Sequence, residues 1–99
     1  MENLQIAAWL REAAGLLEEQ GANPYSVAAY RRAADTVEEL PQSLREIFDI
    51  RGRAGLQALP GVGSGIAAAI AEMLSSNAWS RLARLRRIVR TPPAMLRAR

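Results

Sequence analysis

The chain has 99 residues, 49% of them hydrophobic and 23% charged, which suits one globular domain with a modest core. It has neither cysteine nor histidine, so disulfides, thiolate chemistry and the usual zinc and iron ligand sets are excluded, and no apolar run reaches the roughly 18 residues of a membrane span. The net charge of +3 is uneven: residues 1–50 carry nine acids and four arginines, residues 51–99 carry nine arginines and one acid, Glu72, and the absence of lysine leaves no side-chain amine for a Schiff base.

Met1-Glu2-Asn3-Leu4 lacks the basic start of a signal peptide. Asn3 is placed to cap a first helix over residues 3–20, where Ile6, Trp9, Leu10, Ala13, Leu16 and Leu17 recur at the spacing of one buried face. Gly15 costs that helix about 1 kcal/mol relative to alanine, which close packing against another helix would explain. Gly21 ends it. Asn23 caps and Pro24 opens a second helix to residue 39, with Val27, Tyr30, Ala34 and Val37 on one face. Leu40-Pro41 ends it, and Ser43-Leu44-Arg45-Glu46 reads as a capping box for a short third helix with Leu44, Ile47, Phe48 and Ile50 apolar. Gly52 and Gly55 break the chain around Arg51 and Arg53. A short fourth helix or turn over residues 54–58 leads into a hairpin at 60–63.

Ser64 is expected to cap a fifth helix to residue 75, with Ile66, Ile70, Met73 and Leu74 inward. Asn77 is expected to cap a sixth over residues 78–90, with Trp79, Leu82, Leu85 and Val89 as its stripe, ended by Pro92-Pro93. Both tryptophans have the spacing of core residues. The expected fold is all-α: a compact bundle of five to six short helices containing one helix-hairpin-helix motif, with a domain over residues 1–91 and a short tail over 92–99.

The chemistry centres on Leu59-Pro60-Gly61-Val62-Gly63-Ser64-Gly65-Ile66-Ala67. Gly61 and Gly63 can take conformations closed to other residues, and they leave no side chain between backbone and ligand. The turn feeds a helix N-terminus, whose unpaired N–H groups and dipole favour a phosphate. Such contacts position a strand without reading its bases. A bare Gly-x-Gly is more often a plain tight turn. The preceding apolar residue and proline, and Ile66-Ala67 following, favour the hairpin. A nucleotide-binding loop is disfavoured, since no strand precedes it and no Gly-Lys-Ser/Thr follows.

Asn23-Pro24-Tyr25-Ser26-Val27-Ala28-Ala29-Tyr30-Arg31-Arg32-Ala33-Ala34, followed by the 59–67 segment, resembles the N-terminal helix-hairpin-helix domain of family X DNA polymerases, the group containing polymerase beta. The resemblance covers about residues 3–90. It implies binding to gapped or single-stranded DNA through the backbone at Gly61, Val62 and Gly63, with Ser64 and Gly65 continuing the amide run. It further implies Na+ or K+ at the carbonyls of Gln57, Leu59 and Val62, Tyr30 beside a lyase pocket, and Tyr25 where relatives stack on a template base. The lyase chemistry does not carry over. The Schiff-base lysine position is Ala69, and the positions that supply basic groups for a 5′-phosphate are Ser26, Gln57 and Gly65. No polymerase palm, fingers or paired-aspartate metal site is present in the sequence.

Further candidate DNA contacts are Arg31, with Arg32 as surface charge or the reverse, Arg51 and Arg53 before the hairpin, and Arg84 and Arg87 among the last-helix arginines 81, 84, 86, 87 and 90. Each has the alternative of a solvated face. Glu18-Glu19 and Glu38-Glu39 read as solvated helix ends, because adjacent residues on a helix point apart. The expected function is non-enzymatic, sequence-independent DNA binding with a link to repair, in the cytoplasm or a bacterial nucleoid pool, with no cofactor required. Its DNA partner is gapped, single-stranded or duplex. The alternative is a protein-interaction module, with a protein partner or a homodimer, on a scaffold that has lost DNA. A lyase comes last.

Overall fold

The computed structural model describes residues 1–90, with side chains as far as residue 88. Five helices follow in order: α1 (Asn3–Glu19), α2 (Pro24–Glu39), α3 (Leu44–Gln57), α4 (Ser64–Ser76) and α5 (Ser80–Arg90). The architecture is all-α, with no strand among the described residues. The Pro92-Pro93 stop, the 92–99 tail and the side chains of Val89 and Arg90 lie outside what is described.

Helices α1 and α2 form an antiparallel pair. Arg11 meets Asp35 at 2.6 Å and Glu38 at 2.5 Å, while Glu18 meets Arg31 at 2.9 Å. These exposed pairs are worth at most about 1 kcal/mol each. The pair is held by its buried face: Ile6, Leu10, Ala13, Ala14 and Leu17 against Val27, Tyr30, Ala33, Ala34 and Val37. Small alanines there keep bulk out of the seam. As the sequence predicts, Asn23 caps α2, its Oδ1 accepting from the Tyr25 N–H at 2.8 Å.

Asn3 does not cap α1. Glu2 holds the cap position with no side-chain bond. Asn3 instead reaches the start of α3: its Oδ1 accepts from the Leu44 N–H at 2.9 Å, and its Nδ2 donates to the Gln42 carbonyl at 2.8 Å. An amide side chain has both a donor and an acceptor, so it can serve two backbone groups of an irregular link. A side chain at Gly15 would meet nothing within 4 Å. The close helix approach expected there is absent, and nothing in the structure explains that glycine. Trp9 lies at the rim of the core, half-buried, with the Arg86 guanidinium 5.7 Å above its ring. Trp79 is fully within the core.

The break between the third and fourth expected helices is a kink inside α3. Gly52 has φ 65° and ψ −156°, a region open essentially to glycine alone. Gly55 does not break the chain. It is buried in the arm beyond the kink, where an added Cβ would collide with Arg51. Ser43 caps α3, but its Oγ accepts from the Arg45 N–H at 3.1 Å and not from the N–H of Glu46, three residues on, that a capping box uses. Ile50 projects into solvent.

Two further caps are shifted. Ser64 is the first residue of α4, and Gly63 occupies the cap position without a side-chain bond. Asn77 ends α4: it is left-handed, at φ 56°, and its N–H donates to the Met73 carbonyl at 2.9 Å. Asparagine tolerates that conformation better than most residues, which makes it a helix stop as readily as a start. The start of α5 is capped from a distance, by the Glu72 carboxylate accepting from the Ser80 N–H at 2.9 Å. Trp79 therefore sits in the turn before α5. Leu82 and Leu85 pack into the core, and Arg86 clasps Glu12 of α1 through two bonds of 2.7 Å.

Candidate nucleic-acid interface

The hairpin joins α3 to α4 through a turn with Pro60 and Gly61 at its centre. The Val62 N–H donates to the Leu59 carbonyl at 3.1 Å, and Gly61 has φ 77°. Proline followed by a residue of positive φ is the pattern of a type II turn. Val62 is buried and anchors the turn in the core, while Gly63, Ser64 and Gly65 are exposed. The first amides of α4 have no acceptor within the helix, so they are free to meet an anion at this surface.

Helix α2 braces the hairpin from the side. The Thr36 hydroxyl donates to the Pro60 carbonyl at 2.8 Å. The stem of Arg32 lies over Gly61, where an added Cβ would stand 2.5 Å from the Arg32 Cδ and 2.9 Å from its Cγ. Thr36 was invisible as a site residue in the sequence, where Arg32 entered only as the alternative to Arg31. The four-residue spacing places the two on a single face of α2.

Next to the hairpin lies a cleft of about 440 Å³. Ser26, Ala29 and Tyr30 of α2, Gly65 and Ala69 of α4, and Arg81 and Arg84 of α5 line it, with Trp79 and Glu72 between. Tyr30 and Trp79 pack with ring centroids 5.7 Å apart at 51°, and the Arg81 guanidinium lies 5.9 Å above the Tyr30 ring. Glu72 is the one acid of the lining, and its carboxylate serves Ser80.

The structure thus brings Ser26, Tyr30, Gly65 and Ala69 to one cleft, with Arg84, and it adds Arg81. Gln57 ends α3 and is not part of that lining. Tyr25 stands 86% exposed at the start of α2. Arg51 lines a smaller groove of about 240 Å³ with Leu59, Ile47 and Gly55, on the α3 side of the hairpin. Arg53 is exposed just past the kink, and Arg87 is exposed on α5. Arg31 is bonded to Glu18, which holds the guanidinium above its ordinary pKa and the carboxyl below its own. Arg86 is likewise raised, by its hydrogen bond to Glu12.

Of the three carbonyls expected to meet a monovalent cation, that of Leu59 accepts from the Val62 N–H and retains a second lone pair. Gln57, as the last residue of α3, has no helical amide four residues on. Such backbone oxygens suit a hard cation. Among the described residues no cluster of three or more carboxylates could hold a metal ion, and no helix is long and apolar enough to cross a membrane.

A comparison with curated protein sequences finds no match. Among known families, residues 1–91 match the helix-hairpin-helix domain. That match takes in both the α3–α4 hairpin and the α1–α2 pair that braces it, and the chain belongs to the helix-hairpin-helix domain family.

Proposed function

We propose that this domain binds DNA without reading its sequence, gripping backbone phosphates at Gly63–Gly65 and along the Arg81–Arg84 wall of the adjoining cleft. Helix-hairpin-helix domains in general bind DNA non-specifically. The observation that carries the reading is the anchored turn: Val62 is buried while the three residues that follow it are exposed beside two arginines with no ion-pair partner among the described residues. The likeness to family X polymerase domains supports a gapped or nicked repair intermediate as the preferred form. Gln57, Leu59 and Val62 would hold Na+ or K+, which would supply positive charge beside a bound phosphate.

The test is binding to single-stranded, nicked, gapped and duplex DNA across a salt series. Affinity is expected to fall linearly on a log–log plot as salt rises, and a low-salt Kd weaker than about 10⁻⁴ M overturns the reading. Gly63→Pro removes one amide at a backbone φ of −85° that proline can approach, so it is expected to weaken binding with the fold intact.

The domain acts without catalysis in this reading. Ala69 stands in the cleft where relatives place a Schiff-base lysine, and the chain has no lysine. Borohydride treatment with abasic-site DNA is expected to give no crosslink beyond what the Met1 amine forms; a crosslink that survives blocking of that amine would contradict it.

A further inference from the structure

Arginines 31 and 32 are adjacent in sequence, yet about 100° apart around α2. Arg31 is committed to Glu18 at 2.9 Å on the α1 side. Arg32 borders the same groove as Arg31 but leans its stem on the hairpin, its Cγ and Cδ lying against Gly61 at the centre of the turn. Its guanidinium end is exposed and has no ion-pair partner among the described residues. Asp35, three residues on, is taken by Arg11 at 2.6 Å. Thr36, four residues on, holds the Pro60 carbonyl and fixes α2 against the turn.

We infer that Arg32 is a DNA-contacting residue of the hairpin, supplying from α2 the positive charge for a backbone phosphodiester beside the one met by the Gly63–Gly65 amides. The hairpin has no cation of its own between residues 54 and 66. Amide donors orient an anion, and a guanidinium adds full charge and a planar fork of donors for phosphate oxygens. Packing of the stem on Gly61 pre-organises that fork, so less side-chain freedom is lost on binding. The inference rests on the DNA-binding reading above.

The experiment is a salt titration of a fluorescein-labelled, single-gap duplex by anisotropy. Arg32→Gln keeps three carbons of the stem over Gly61 and removes the charge. It is expected to lose affinity several-fold and to reduce the log–log salt slope by roughly 0.7–0.9, the share of one phosphate. Arg32→Lys is expected to restore the slope. Arg45→Gln, which removes an equal charge elsewhere, is expected to leave it unchanged. If the parent binds and Arg32→Gln keeps the parental slope, or if Arg45→Gln reduces it equally, the inference fails while the DNA-binding reading stands. A parent without salt-dependent binding sinks both. Should Arg32→Gln melt early, Arg32→Met carries the same expectation with an apolar stem.

Discussion

Gly61→Ala is expected to bind DNA at least about tenfold more weakly than the parent, a loss of roughly 1.4 kcal/mol. Two effects combine. A side chain at φ 77° costs about 1–2 kcal/mol, because its Cβ crowds the following carbonyl. The same Cβ would stand 2.5 Å from the Arg32 Cδ, so Arg32 must leave the turn or the turn must move. A chain relieved of the positive φ would tend toward a type I turn. That change rotates the peptide after Pro60 and swings the Gly63–Gly65 amides away from their present surface. Urea denaturation and anisotropy on one preparation separate the two losses. Parental affinity in a variant destabilised by about 1–2 kcal/mol would show that the turn conformation is not what the DNA meets.

Trp79→Ala is the most damaging single change expected, at about 3–5 kcal/mol for truncating a buried aromatic. A domain of this size has only about 5–15 kcal/mol in total. Trp79 is 4% exposed and precedes the first turn of α5, where it packs on Tyr30 and leads into Leu82 and Leu85. Its loss leaves a cavity at the junction of α2, α4 and α5, and it removes the floor beneath Arg81 and Arg84. Trp79→Phe, which retains a ring, is expected to recover most of the stability. Trp9 remains as a fluorescent reporter of unfolding in both variants, its half-buried ring lying under the Arg86 guanidinium. A midpoint for Trp79→Ala within experimental error of the parent would contradict this account of the core.

The helices were legible in the sequence because their causes are local. Asn23-Pro24 starts α2 by capping and by a fixed φ, and the apolar stripes at 3.6-residue spacing choose its buried face. The hairpin was legible for the same reason: the proline and glycine conformations that make it are properties of adjacent residues. Side chains whose partners are distant in sequence were not legible. Asn3 looks like a cap until Leu44 and Gln42 are beside it. Asn77 looks like a helix start, yet its left-handed backbone closes α4 while Glu72 caps α5 from eight residues away. The choice between Arg31 and Arg32 is of this kind too. It depends on Glu18 of α1 and Gly61 of the hairpin, which only the packed molecule brings against α2.

The clasp between α5 and α1 has a consequence for how the molecule comes apart. Arg86 and Glu12 are 74 residues apart, so their contact closes a loop of most of the described chain. The α1–α2 and α3–α4 pairs close much shorter ones, at correspondingly smaller entropic cost. Local opening favours units whose contacts are few and distant in sequence. Helix α5 is therefore the segment that detaches at the lowest free energy, and Arg81 and Arg84 go with it. The cleft's cationic wall would then swing on the Asn77–Trp79 link, while the Pro60–Gly61 turn stays tied to α2 through Thr36. A DNA strand lying across both would fasten the hinge, so that ligation and slower amide exchange in α5 become a single event.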